Sequence, residues 1–214
     1  MSRPAFVEVD GRRVRVRVDG DPHNPPVLLV HGIGRSLEDW DPQYERLSAD
    51  YRVIAVDVPG FGFSDRPDGP ITLSTFAKGV LGAADTLGET RPLHIVGNSL
   101  GGAIALQTLA LRPERVASLG LINSAGFGRE VTVLLRMLTV PGIGKLSTRR
   151  PTRASARLLE RTIFADPALA TTARIDRALA IGRQPHTGSV LRETAVELGT
   201  PTRGIKPGWR RQLA

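Results

Sequence analysis

Leu93-His94-Ile95-Val96-Gly97-Asn98-Ser99-Leu100-Gly101-Gly102-Ala103 is the stretch on which the reading of this sequence turns. A short apolar run, the pattern of a buried strand, meets a G-x-S-x-G turn, and a helix built on small residues follows. Such a turn lifts a serine hydroxyl off the sheet edge at the N-terminus of the new helix. There a hydroxyl can attack a carbonyl, and backbone N–H groups can hold the oxyanion that forms. Gly97 and Gly101 flank Ser99 because a Cβ at either position would collide where strand and helix approach most closely. The pattern alone recurs by chance; its strand before and its Gly-Gly-Ala-Ile-Ala helix after make it specific.

Working outward, 214 residues suffice for one domain with a substantial core and a small helical addition. A hydrophobic content of 41% is ordinary for a globular protein. No run approaches the roughly 18 to 20 apolar residues of a membrane-spanning helix. Met1-Ser2-Arg3-Pro4 leads straight into a strand pattern without a secretory signal, so the cytoplasm is the expected location. With 0 cysteines, disulfides and thiolate metal sites are excluded. The formal charge of +8 is carried almost wholly by arginine, since Lys78, Lys145 and Lys206 are the only lysines. Nucleic-acid binding would call for a basic stripe with interleaved aromatics. Arg149-Arg150-Pro151-Thr152-Arg153 and Trp209-Arg210-Arg211 are too short and too far apart for that, so a solvated basic surface is expected.

Residues 5–18 alternate apolar and polar on either side of Asp10-Gly11, which predicts a β-hairpin. Val27–Val30 is a continuous apolar run, the mark of a strand buried on both faces of a parallel sheet. Val53–Val56, Leu93–Val96 and Val116–Ile122 are further runs of the same kind. Helical patterns around Trp40–Leu47, Leu73–Leu87 and Ala103–Leu111 alternate with them, giving an α/β fold with a mostly parallel sheet. After Asn123 the rhythm becomes helical without a convincing strand, over Glu130–Leu138, Thr152–Phe164, Pro167–Ile181 and Gly188–Leu198. This block is expected to form a lid, with Leu135, Met137 or Leu138 as candidate pocket-lining residues; a plain apolar face packed on the core is the simpler reading of 131–138.

Three motifs in fixed order now carry a family resemblance. His31-Gly32-Ile33-Gly34 ends the first buried strand, Asp57-Val58-Pro59-Gly60-Phe61-Gly62-Phe63-Ser64-Asp65 ends the next, and Gly97-Asn98-Ser99-Leu100-Gly101-Gly102 is the turn quoted above. The chain resembles the α/β-hydrolases of the cap-bearing kind, which includes carboxylesterases, lactonases and meta-cleavage-product C–C hydrolases. The resemblance is strong over residues 5–125 and implies an α/β-hydrolase-type sheet with an N-terminal antiparallel hairpin, flanking helices and a helical cap. The implied division is a core over residues 1–126, a cap over 127–200 and a return segment over 201–214. It also implies that Ser99 is the nucleophile, and that the N–H groups of Ile33 and Leu100 form the oxyanion hole. His31, Gly32 and Gly34 would support that loop, and Gly97, Asn98 and Gly101 would shape the elbow. Serine here, rather than the aspartate of haloalkane dehalogenases and epoxide hydrolases, implies acyl chemistry.

The partners of Ser99 are harder to place. In the family's order an acid and then a histidine follow the nucleophile. Of the four histidines only His186 follows Ser99, and it sits in a turn of the helical block. A polar turn residue or a substrate contact is the expectation for it. His94 reads as a packed or hydrogen-bonded histidine of the strand, and His23 as an exposed loop residue. Asp57 looks like an acid at a strand end, yet its expected role is to cap its own tight turn. Asn123-Ser124, after the last strand, cannot serve as a carboxylate. The triad acid and histidine are therefore unassigned, and the simplest expectation is that the strands bearing them lie beyond residue 214.

The leading expectation is a serine hydrolase for a small or medium, mostly apolar ester, lactone or C–C ketone. Acyl transfer on the same scaffold, and a non-catalytic binding protein that has lost its base, are the alternatives. The implied partner is a small-molecule substrate, with no cofactor, no metal, no nucleic acid and no membrane span; the oligomeric state is open.

Overall fold

The protein is described by a computed structural model that covers residues 2–126, 138–140, 142, 151–200 and 204–205. Asp10 and Gly11, both with positive φ, turn strand β1 (Ala5–Val9) back onto β2 (Arg12–Asp19), as the alternation predicts. β2 then pairs antiparallel with β4 (Arg52–Val56) and so joins the hairpin to the main sheet. β3 (Pro26–Val30), β4, β5 (Leu93–Asn98) and β6 (Val116–Ile122) run parallel, and the order across the sheet is β1-β2-β4-β3-β5-β6.

The continuous apolar runs are explained by what covers each face. Leu28, Val30, Ile54 and Val56 point toward α2 (Leu73–Thr86) and α3 (Leu100–Leu111) and share one core with Phe76, Val80 and Ile104. Val27, Leu29, Val53 and Ala55 point the other way and pack on Trp40 and Tyr44, the latter from α1 (Asp41–Leu47). Two-sided burial of this kind needs apolar side chains at every position, and these two strands have them. α2 begins where the Thr72 hydroxyl accepts the Thr75 N–H at 3.1 Å.

Two expectations need correction. β6 was expected to be buried on both faces, but Ala117, Ser118 and Ile122 are exposed, the last at 46%. Among the described residues β6 pairs with β5 alone, so one edge of it is uncovered. The helix expected over Pro167–Ile181 is a 3-10 turn at Pro167–Leu169 followed by α5 (Thr172–Gly182). Asp166 accepts the Ala168 N–H at 2.9 Å and Thr171 accepts the Arg174 N–H at 3.4 Å, so two successive N-caps divide the segment.

The remaining helices are α4 (Arg153–Ile163), opened by a capping box of Thr152 and Ser155, and α6 (Thr187–Leu198). A short ladder follows, β7 (Gly199–Thr200) with β8 (Gly204–Ile205). The helix expected at Glu130–Leu138 lies outside the described residues except for Leu138, as do Leu135 and Met137. Most of 201–214 lies outside them too. Leu138 borders an open cleft of about 530 Å³ with Ile71 and Val196, and Ser99 is not among its walls.

Candidate active site

Three parallel strands end side by side, and the three sequence motifs leave from their C-terminal ends. β5 delivers Ser99, which holds φ 53 and ψ −112, a conformation costly for a residue with a Cβ. The surroundings fix it there. The Ser99 N–H donates to the Ile122 carbonyl at 3.0 Å, and the Ser99 carbonyl accepts the Ala125 N–H at 2.9 Å and the Gly102 N–H at 3.1 Å. The flanking glycines are required by contact. A Cβ on Gly97 would stand 2.3 Å from the Gly101 carbonyl, and one on Gly101 would stand 2.1 Å from the Val30 carbonyl. Leu100, the first residue of α3, is fully buried, and its N–H belongs to the group of helix-start donors that lack an intrahelical acceptor.

β3 delivers His31-Gly32-Ile33-Gly34 beside this elbow. A Cβ on Gly32 would lie 3.5 Å from Ser99 Cβ and 3.4 Å from Asn98 Oδ1, so the two loops touch. The His31 ring is buried and bridges two loops. Its Nε2 accepts the Val58 N–H at 3.0 Å, which leaves Nδ1 to donate to the Gly32 carbonyl at 2.7 Å. Burial lowers the pKa of this imidazole, and both contacts suit the neutral ring.

β4 delivers Asp57, whose carboxylate is wholly inside. It accepts the Leu37 N–H at 2.7 Å, the Phe63 N–H at 2.9 Å and the Arg15 guanidinium at 3.1 Å. Burial raises its pKa, opposed by the His31 ring 3.9 Å away and by these donors. Its partners extend beyond its own turn, to Leu37 in the neighbouring loop. His186, at the start of α6, lies 3.0 Å from the Ser64 carbonyl through Nε2. His94 is half-buried, with Nδ1 2.8 Å from Ser118 Oγ and its ring edge-on to Tyr51; His23 is exposed. His31 and Asp57 form a buried acid–histidine pair, 3.9 Å apart, but both nitrogens of the His31 ring are engaged by backbone groups, and among the described residues no histidine hydrogen-bonds Ser99.

Sequence reading passed over a row of ion pairs at the rim of the site. Arg15 bridges Asp57 and Glu38, the latter at 2.6 Å. Arg35 grips Asp39 through two bonds of 2.7 Å and also pairs with Glu160 of α4, and Arg174 of α5 reaches Asp39 at 3.4 Å. The one sequence signal was a charged residue at helical spacing from Ala156, and α4 buries both Ala156 and Glu160 while leaving Leu158 67% exposed.

The model of the alpha/beta hydrolase fold matches residues 25–148, and the chain belongs to that family. A dihydrolipoyllysine-residue acetyltransferase component of an acetoin cleaving system from Pseudomonas putida is 33% identical over 195 residues, covering 91% of this chain and 50% of that protein. A 2-hydroxymuconate semialdehyde hydrolase from Pseudomonas sp. (strain CF600) is 37% identical over 111 residues, 50% of this chain and 39% of the relative. The chain thus spans half or less of the length of these curated relatives. Among solved structures, a mutant of the meta-cleavage product hydrolase from Pseudomonas fluorescens IP01, complexed with acetates, superposes with a TM-score of 0.73 at 27% identity, covering 97% of this chain and 71% of that one. No helix among the described residues is long and apolar enough to cross a membrane.

Proposed function

We propose that this chain carries the nucleophile and oxyanion side of a serine hydrolase for small to medium, mostly apolar esters, lactones or C–C ketones. The observation that carries the reading is Ser99 held at φ 53 on the N-terminus of α3, between glycines that admit no side chain. In this reading Ser99 Oγ attacks the substrate carbonyl carbon while a general base takes its proton. The oxyanion is held by the N–H groups of Ile33 and Leu100, each worth a few kcal/mol. The tetrahedral intermediate collapses, the protonated leaving group departs, and water hydrolyses the acyl-enzyme. His31 keeps Gly32 in place rather than acting as base, because both its nitrogens are committed. The acid and histidine are not assigned to the described residues. Helices α4 to α6 act as the cap, and Leu191 of α6 closes over Gly34.

Acyl transfer is the second reading, favoured by the acetyltransferase name of the Pseudomonas putida relative. It shares every step up to the acyl-enzyme and differs in the acceptor. A fluorophosphonate probe tests both. The protein should be labelled at Ser99, and Ser99→Ala should lose the label; undiminished labelling of that variant removes the assignment. With a p-nitrophenyl ester, p-nitrophenol leaves on acylation, and whether the acyl group then passes to water or to an added thiol separates hydrolysis from transfer.

A further inference from the structure

We propose that Arg35 is a positioning residue: it locks the Gly32–Arg35 turn to α4 through Glu160, so that the Ile33 N–H keeps its direction only while α4 is seated. The proposal rests on the reading of Ile33 as an oxyanion donor.

The turn itself is local. The Arg35 N–H donates to the Gly32 carbonyl at 3.3 Å, and Gly34 supplies the positive φ of 70 that its corner needs. One such long bond holds a four-residue turn weakly. The Arg35 side chain adds the missing restraint from two directions. Below, Nε and Nη2 each meet an Asp39 oxygen at 2.7 Å, a two-pronged grip on the 3-10 turn Leu37–Trp40. That turn also hangs from Asp57 through the Leu37 N–H. Above, Nη1 bonds Glu160, whose side chain is 0% exposed.

The geometry of α4 shows that this pair sets the helix rather than decorating it. Burying a carboxylate is unfavourable unless a cation meets it, and burying Leu158 instead would be favourable. α4 nevertheless turns Glu160 inward and leaves Leu158 outside. Its seating is therefore dictated by Arg35. Two further contacts run parallel to it, Arg174 to Asp39 at 3.4 Å and Arg177 to Glu38 at 3.8 Å. Leu191 of α6 covers Gly34 from the same side. The cap thus meets the last two residues of the oxyanion turn, Leu191 against Gly34 and Glu160 on Arg35.

Amide exchange in the full protein tests this, because the N–H groups of residue 35 and Leu37 report the turn directly. Glu160→Gln should speed their exchange about tenfold, leaving the Val58 N–H unchanged as an internal control. The second variant is Arg35→Met with Glu160→Leu, which removes both charges, keeps the volume and leaves Asp39 to Arg174. It should recover the thermal midpoint, since no buried charge is orphaned. A mere structural pair would then be replaced without consequence, whereas the latch predicts fast exchange at residue 35 and Leu37 all the same. Fluorophosphonate labelling of Ser99 should show a lower maximal rate in both variants with unchanged affinity for the reagent. Should Glu160→Gln fail to fold, the double variant decides alone. Native exchange at residue 35 and Leu37 in the double variant, or uniform acceleration of all amides in both, overturns the latch. Fast local exchange in a protein that never labels at Ser99 upholds the latch and overturns the reading of Ser99.

Discussion

The Val58 N–H is held not by another backbone group but by the Nε2 of His31, at 3.0 Å, so the loop after β4 is tied to the loop after β3 by a single neutral ring. Protonating that ring would remove the acceptor. Its pKa is lowered by burial from the ordinary 6.5, so the unfolded chain binds this proton more readily than the native one. Stability must then fall as pH drops below about 6.5 toward the lowered value. Urea midpoints at about pH 7.5, 6.5 and 5.5 should decline in the wild type, with the slope reduced in His31→Gln. Equal slopes in both would exclude His31 as their source.

Asp57→Asn should cost about 2 to 4 kcal/mol of stability, because an inward carboxylate loses its charge-assisted bonds to Arg15 and two amides. On the proposed function, turnover of the folded fraction should stay within about tenfold of wild type. A loss near ~10⁴-fold, the scale seen on removing a triad acid, would show Asp57 to be that acid.

Glu38 provides an acid-side prediction. Burial alone would raise its pKa, but hydrogen bonds from Arg15 and Ser36 prevail and hold it down to about 2 from the ordinary 4.5. A depressed carboxylate contributes stability above its unfolded pKa and loses it as pH falls through the folded one. With the side chain 11% exposed, the contribution is about 3 kcal/mol, present at pH 5 and lost between about 4.5 and 2. Acid titrations of Glu38→Gln should be flatter in that window; an unchanged acid midpoint would count against the Arg15 pair.

The glycines around Ser99 differ in what they face. Gly101→Ala puts a methyl on the Val30 carbonyl and should destabilise by about 3 kcal/mol or more. The methyl of Gly102→Ala meets chiefly the Ser124 side chain, 2.3 Å from its Oγ. Gly102→Ala should therefore be rescued by Ser124→Gly, and Gly101→Ala should not. Thermal unfolding of the set checks it, and rescue in both cases would mean that α3 can move.

The chain should associate, because among the described residues one edge of β6 has no strand partner, beside the exposed Ile122. Ser118→Lys with Ile122→Lys should shift size exclusion toward monomer. Association that ignores both lysines would place the contact elsewhere.

What the sequence disclosed follows from the range of the forces involved. The Asp10-Gly11 hairpin, the two-sided strands and the glycine-flanked Ser99 are set by neighbours a few residues apart, so spacing alone reveals them. The split before α5 is readable too, since Asp166 and Thr171 are both N-cap residues, although a helical period runs through them. The inward Glu160 was not readable: leucines at 158 and 159 point to the opposite face, and only Arg35, 125 residues away, reverses that preference. Nor does the apolar run of β6 reveal its exposure, since residue type does not say which strand ends a sheet.

The same separation has a consequence for the order of events during synthesis. The six strands of the main sheet, the elbow and the Arg35–Asp39 grip are all complete by residue 126, whereas Glu160 is translated later. Contacts that close long loops form late. A nascent chain can therefore fold its sheet and strain Ser99 into place with the Gly32–Arg35 turn still held from one side only. On the proposed function, the geometry for chemistry would then be completed as a distinct, later event than foldedness on the ribosome.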